Sequence, residues 1–105
     1  MQINSGNDVN KHGFSNNDAI NAAKEINLLT NIKLEGIMMI PPFMKLNEGY
    51  RSIFRKTKQI QLEIYNSGIK HCINISMGMS RDYHIAIEEG ATHIRVGTAL
   101  FGKRA

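Results

Sequence analysis

A single cysteine, Cys72, stands in 105 residues, which excludes an internal disulfide framework. A lone cysteine fits a reducing compartment, and Cys72 reads as a small, buried apolar filler. No apolar run approaches the ~20 residues that a membrane-spanning helix requires. Met1-Gln2-Ile3-Asn4 shows no basic stretch leading into an apolar core, so no signal peptide is expected. His12, His71, His84 and His93 do not fall at metal-ligand spacings, and no metal site is expected. The chain also lacks a G-x-S-x-G elbow and any Ser–His–Asp ordering, so no catalytic residue is assigned.

What remains is a globular composition, 42% hydrophobic, in a length suited to one small domain. A domain of this size buries about 65% of its unfolded surface, enough for a modest core. The net charge of +4 owes much to Arg51, Arg55, Lys56 and Lys58. A basic face attracts nucleic acid or phosphate groups. These four residues, however, sit on the polar side of an amphipathic helix over 48–67, and no nucleic-acid motif accompanies them. They read as a solvated face, with neither nucleic acid nor membrane as partner.

Hydrophobic patterning alternates between strand and helix. Gln2-Ile3-Asn4 ends a strand, and Ser5 to Phe14 is a polar loop. Ser15 to Asn17 offer helix caps ahead of Ala19, Ile20, Ala23 and Ile26 at helical spacing. Ile32 to Ile40 reads as a strand stopped by Pro41-Pro42, which cannot continue a ladder. Asn47 is expected to cap a helix whose apolar face is Tyr50, Ile53, Phe54, Ile60 and Ile64, with Gly68 at its C-cap. Ile73 to Met77 is a third strand. Ser80 is expected to cap a short helix ending at Gly90, and His93 to Gly97 is a fourth strand. Strictly alternating strands and helices imply a parallel sheet with crossover helices. Four such strands with helices on one side leave a bare face. A closed eight-stranded (β/α) barrel covers that face, and this chain supplies about half of one.

Parallel α/β folds bind ligands beyond the carboxyl ends of their strands. Three such ends stand out. In "SMGMS", Gly78 allows close backbone approach and Ser80 starts a helix, where a hydroxyl serves as cap, as phosphate donor, or as both. In "IRVGTALFG", Ile94 and Val96 share one strand face, while Arg95 and Gly97 share the other. An inward Arg95 needs either a carboxylate partner or a ligand, and Gly97-Thr98 offer open N–H groups and a hydroxyl. In "GIMMIPP", Met38 and Met39 line a pocket for a flat ring or, as is commoner for methionine, fill core.

Taken together, "QINSGNDVNKHGF", with Lys11-His12-Gly13, "LEGIMMIPP" and above all "ISMGMSRDYHIAIEEGATHIRVGTALFGKR" resemble the pyridoxal phosphate homeostasis proteins. These are the barrel-only relatives of the alanine racemase N-terminal domain. The resemblance spans essentially the whole chain and implies an α/β fold, the last four strands and helices of a (β/α)8 TIM barrel. Residues 1–105 then form the C-terminal half of that barrel. It also implies pyridoxal 5'-phosphate as cofactor. Ser80 and the backbone around Met79 match positions on its phosphate, Gly97 and Thr98 match the rest of that cradle, and Arg95 matches the arginine facing the pyridine nitrogen. Ser76 lies near that arginine. A cation there disfavours protonation of the ring nitrogen and weakens the ring as an electron sink. The implied role is therefore non-catalytic: cofactor binding and intracellular vitamin B6 homeostasis, cytoplasmic or mitochondrial. The family's Schiff-base lysine lies on a strand near the start of the whole barrel, and none of Lys11, Lys24, Lys33, Lys45, Lys56, Lys58, Lys70 or Lys103 matches it. The family's closing C-terminal helix is likewise not matched. A complete family member is expected to be a monomer. This half is expected to need the missing half or to self-associate. The alternatives are an inert, partner-dependent half-barrel and part of a racemase-like enzyme.

Overall fold

A computed structural model of the chain describes residues 1–6 and 12–102. Lys11 of the Lys-x-Gly element and the terminal Lys103-Arg104-Ala105 lie outside the described residues. The order is β1 (Gln2–Ile3), α1 (Asn16–Asn27), β2 (Gly36–Met39), α2 (Asn47–Asn66), β3 (Asn74–Met79), α3 (Tyr83–Glu88), β4 (His93–Arg95) and α4 (Thr98–Phe101). The four strands form one sheet in the order β1-β2-β3-β4, and every pairing is parallel. This is the sheet of a partial TIM barrel. Among the described residues, no helix is long and apolar enough to cross a membrane.

Strand alternation sorts the residues onto two unlike faces. Ile3, Ile37, Met39, Ile75 and Met77 point under the helices and are nearly fully buried. They meet Ala19 and Ala23 of α1, Phe54, Ile60 and Ile64 of α2, and Ile85 and Ala86 of α3 in one core. Cys72 is buried in the same cluster as the sequence leads one to expect, and burial pushes its thiol pKa up. The opposite face carries Gln2, Met38, Ser76 and His93 in one cross-strand row. None of these four is buried.

Local chemistry sets the boundaries. The Ser15 hydroxyl accepts from the Asp18 N–H and starts α1. Gly68, at φ +115°, ends α2. Four expectations need correction. Asn47 is the first residue of α2 rather than its cap; Leu46 occupies the cap without a side-chain bond. Here the Tyr50 hydroxyl accepts from the Met44 N–H at 3.0 Å and holds the entry. The apolar run from Ile32 yields a strand only over Gly36–Met39, because the chain is still turning out of α1 when it reaches Ile32, whose N–H donates to the Leu29 carbonyl. β4 stops at Arg95 and does not reach Gly97. Finally, β3 runs on through Gly78 to Met79, and Ser80 lies in a turn ahead of α3, whose cap position is Asp82.

The basic face of α2 is open to solvent, as expected, and is also partly neutralised. Arg51 reaches Glu89 at 2.7 Å and Glu88 at 3.3 Å, and Arg55 reaches Glu89 at 3.0 Å. These bonds staple α2 to α3. Hydrogen bonds from Arg55 and Arg51 hold the Glu89 carboxyl below the usual carboxylate range, and the same bonds raise both arginines. A carboxylate depressed in the folded state stabilises the fold above the unfolded carboxylate pKa and loses that effect as pH falls through its folded value. Glu89→Gln is therefore expected to melt below wild type at neutral pH, with the gap closing in acid. Parallel melting curves at all pH values would contradict the staple.

Candidate functional site

The pairing of β3 with β4 sets the geometry of the strand ends. Ser76 stands opposite His93, and Met79 opposite Arg95, so three steps along β3 answer two along β4. A bulge therefore lies between them, with Gly78 at φ +102° inside it. The sequence suggests Gly78 for close approach of a ligand. The structure gives its missing side chain another use: a Cβ there would lie 2.7 Å from the Ala86 Cβ and 3.2 Å from the Tyr83 Cα. Gly78 lets α3 sit against the end of β3.

Asp82 closes the loop beyond the bulge. Its Oδ1 accepts from the Met79 N–H at 2.7 Å, and its own N–H donates to the Met79 carbonyl at 3.1 Å. The side chain thus reaches back three residues to close the turn, one of the local side-chain-to-backbone bonds open to aspartate. Its carboxylate is buried, and Ser80 and Arg81 are left at the tip. Sequence reading passed over Asp82, although an aspartate three residues after a strand end was the available signal. It also passed over Thr92, whose hydroxyl accepts from the Ile75 N–H at 2.8 Å and ties β3 to the start of β4.

Ser76 sits part-buried on the open face in the row with Met38 and His93. Met79 ends β3, with its side chain 45% exposed and its N–H engaged by Asp82. Ser80 is part-buried in the turn. Arg95 ends β4, exposed, and its Nη2 reaches across β3 to the Met38 sulfur on β2 at 3.4 Å. Among the described residues no carboxylate pairs with it. A thioether is a weak acceptor, so the guanidinium lies over the open face with most of its donors uncommitted. Gly97 caps α4 and Thr98 begins it; both are exposed. Gly97 has φ −102°, and a Cβ there would meet nothing within 4 Å. Neither backbone strain nor packing requires a glycine at 97, and the bare backbone is open to solvent.

The candidate residues therefore fall into two groups. Ser76 and Arg95 share the open face; Ser80 lies in the turn after β3, and Gly97 and Thr98 stand at the start of α4, just beyond β4. Met39 is core, whereas Met38 faces the Arg95 side. The described lysines lie on helices or loops and none on a strand. A cleft between α1 and α2, lined by Ser15, Asn16, Lys56, Gln59 and Glu63 among others, contains none of the candidate cofactor-binding residues.

A sequence model of the alanine racemase N-terminal domain family matches residues 1–105. Among curated proteins, the pyridoxal phosphate homeostasis protein of Aquifex aeolicus is 38% identical over 99% of this chain and 46% of its own length. That of Pseudomonas aeruginosa is 36% identical over 99% and 44%. The human protein of the same name is 31% identical, and the match covers 99% of this chain and 39% of that protein. Among solved structures, PipY of Synechococcus elongatus with pyridoxal phosphate bound superposes with a TM-score of 0.83 at 28% identity, over 97% of this chain and 47% of PipY. A protein of unknown function from Bifidobacterium adolescentis superposes at 0.91, with 34% identity over 96% and 41%. The chain thus spans under half the length of the curated relatives it matches.

Proposed function

The chain belongs to the alanine racemase N-terminal domain family, and from that premise we propose that it is a pyridoxal 5'-phosphate-binding half-barrel, non-catalytic, serving intracellular vitamin B6 homeostasis. The observation that carries the reading is the Met79–Arg95 pairing. It brings the ends of β3 and β4 side by side, which supports a site shared by the Ser80 turn and the open backbone of Gly97-Thr98, with an arginine free of carboxylates on the adjoining face. The names of the curated relatives and the cofactor bound to PipY support it.

The donor set suits the cofactor at both ends. The Ser80 and Thr98 hydroxyls and the open backbone at Gly97 hold a phosphate, since hydrogen bonds to an ionised oxygen are shorter and stronger than neutral ones. Met79 sets the turn: with its N–H tied to Asp82, it fixes where Ser80 stands. Arg95 faces the pyridine nitrogen, and Ser76 lies beneath it on the same face. When bound, the cofactor supplies an aldehyde and an electron-accepting ring. Arg95 keeps that ring nitrogen unprotonated and so lowers its power to stabilise a carbanion. This supports carrying the cofactor over transforming an amino acid.

The test separates phosphate from ring. Ser80→Ala combined with Thr98→Val is expected to weaken pyridoxal 5'-phosphate by about 10- to 100-fold, the worth of one or two bonds to a charged group. Pyridoxal, which lacks the phosphate, is expected to change by less than about twofold. Equal losses for the two ligands in fluorescence titrations would remove the phosphate assignment.

A further inference from the structure

The described arginines divide by location. Arg51 and Arg55, on the outer helix α2, are neutralised by Glu88 and Glu89. Arg95 and Arg81, at the strand ends, have no carboxylate within ion-pair distance among the described residues. Arg95 already has a role in the site; Arg81 has none. Its guanidinium lies 4.8 Å from the centre of the Phe43 ring. Phe43 stands in the loop after β2 and is 69% exposed, whereas Arg81 stands in the loop after β3, beside Ser80. The two loops leave the sheet at the same end, so this contact bridges them there.

We infer that Arg81, stacked on Phe43, is a further phosphate-recognition residue, which selects phosphorylated over unphosphorylated ligand. The inference rests on the phosphate site proposed above. An arginine on an aromatic ring uses its flat face and keeps its in-plane N–H groups for an anion. Stacking also restricts a long side chain in advance, which lowers the ordering cost on binding. The nearest acidic group in sequence, Asp82, does not cancel the charge: its carboxylate is turned back onto the Met79 N–H and buried. The tip of the β3 loop thus presents a hydroxyl and an uncompensated cation side by side, a pairing that suits a phosphate dianion. Neither residue has an evident packing duty to explain its exposure.

The experiment compares pyridoxal 5'-phosphate with pyridoxal in wild type, Arg81→Gln, Arg81→Lys, Phe43→Leu and the Arg81→Gln/Phe43→Leu pair. Circular dichroism verifies the fold of each. Arg81→Gln is expected to lower affinity for the phosphorylated ligand about fivefold, as befits an exposed charge pair, and to leave pyridoxal unchanged. Arg81→Lys should fall between, because it keeps the charge and loses the planar fork. Phe43→Leu should weaken the phosphorylated ligand in wild type and add nothing once Arg81 is gone, the mark of a coupled pair. The preference should shrink in about 0.5 M salt. An unchanged ratio in Arg81→Gln, with Ser80→Ala/Thr98→Val still selective against the phosphate, overturns the inference and leaves the site standing. If neither variant alters the ratio, or wild type binds neither ligand, both fall.

Discussion

Gly78→Ala is expected to cost about 2–5 kcal/mol of folding stability, the sum of a side chain forced into a positive-φ backbone and an overpacked contact. Both terms are visible at this residue. The backbone stands at φ +102°, and the new methyl would lie 2.7 Å from the Ala86 Cβ. Ala86 is fully buried in α3, and the Tyr83 Cα beside it is backbone, so neither yields cheaply. A domain of this size has ~5–15 kcal/mol to lose, and the substitution removes a large share of it. Gly97→Ala is the matched control. At φ −102° with open space around the added methyl, it should melt within about 0.5 kcal/mol of wild type, as benign surface changes do. Any cofactor affinity lost by Gly97→Ala then reports on the site, because the fold is intact. Thermal unfolding followed by circular dichroism decides the first part. A Gly78→Ala protein that melts with wild type would show that α3 packs elsewhere.

This contrast also marks how far the sequence could be read. Strand and helix order and the two-faced sheet followed from periodicity, because the apolar residues that make the core are the same ones that set the period. Ser80, Arg95, Gly97 and Thr98 stood out as strand-end residues, whereas Ser76 came from the family resemblance alone. What escaped depended on contacts between elements. The meaning of Gly78 lies in Ala86, eight positions on. The start of α3 lies in an aspartate that reaches back to the strand instead of into the helix. Arg51 and Arg55 read only as a solvated face because their partners, Glu88 and Glu89, belong to another helix. The run from Ile32 to Ile40 looked like one strand because apolar character does not separate a buried connection at Leu34 from a paired strand at Gly36.

Purified alone, the 105-residue chain is expected to self-associate as its concentration rises, and the reason is the sheet. β4 is its open edge, whereas the outer side of β1 is engaged by Phe14, whose carbonyl accepts from the Asn4 N–H at 2.8 Å and whose N–H donates to the Gln2 carbonyl at 3.0 Å. A parallel edge with unpaired N–H and C=O groups is a template for another strand. Among the described residues, no helix covers the face bearing Met38, Ser76, His93 and Arg95. The relatives that this chain matches have more than half their length beyond it, and in a (β/α)8 barrel that remainder supplies the other strands. A second copy offers the same geometry. If β4 of each copy displaces Phe14 and pairs parallel with β1 of the other, a twofold axis relates the two sheets and eight strands close into a ring. Multi-angle light scattering across a concentration series should therefore show mass rising toward a dimer. Met38→Lys, which places a charge on the inner face where Arg95 already lies, should raise the dissociation constant at least about tenfold by like-charge repulsion and desolvation. The melting of dilute protein should shift far less, since Met38 is outside the core shared with the helices. A chain that stays monomeric at every concentration and melts cooperatively would show that this open face is stable in water as it stands.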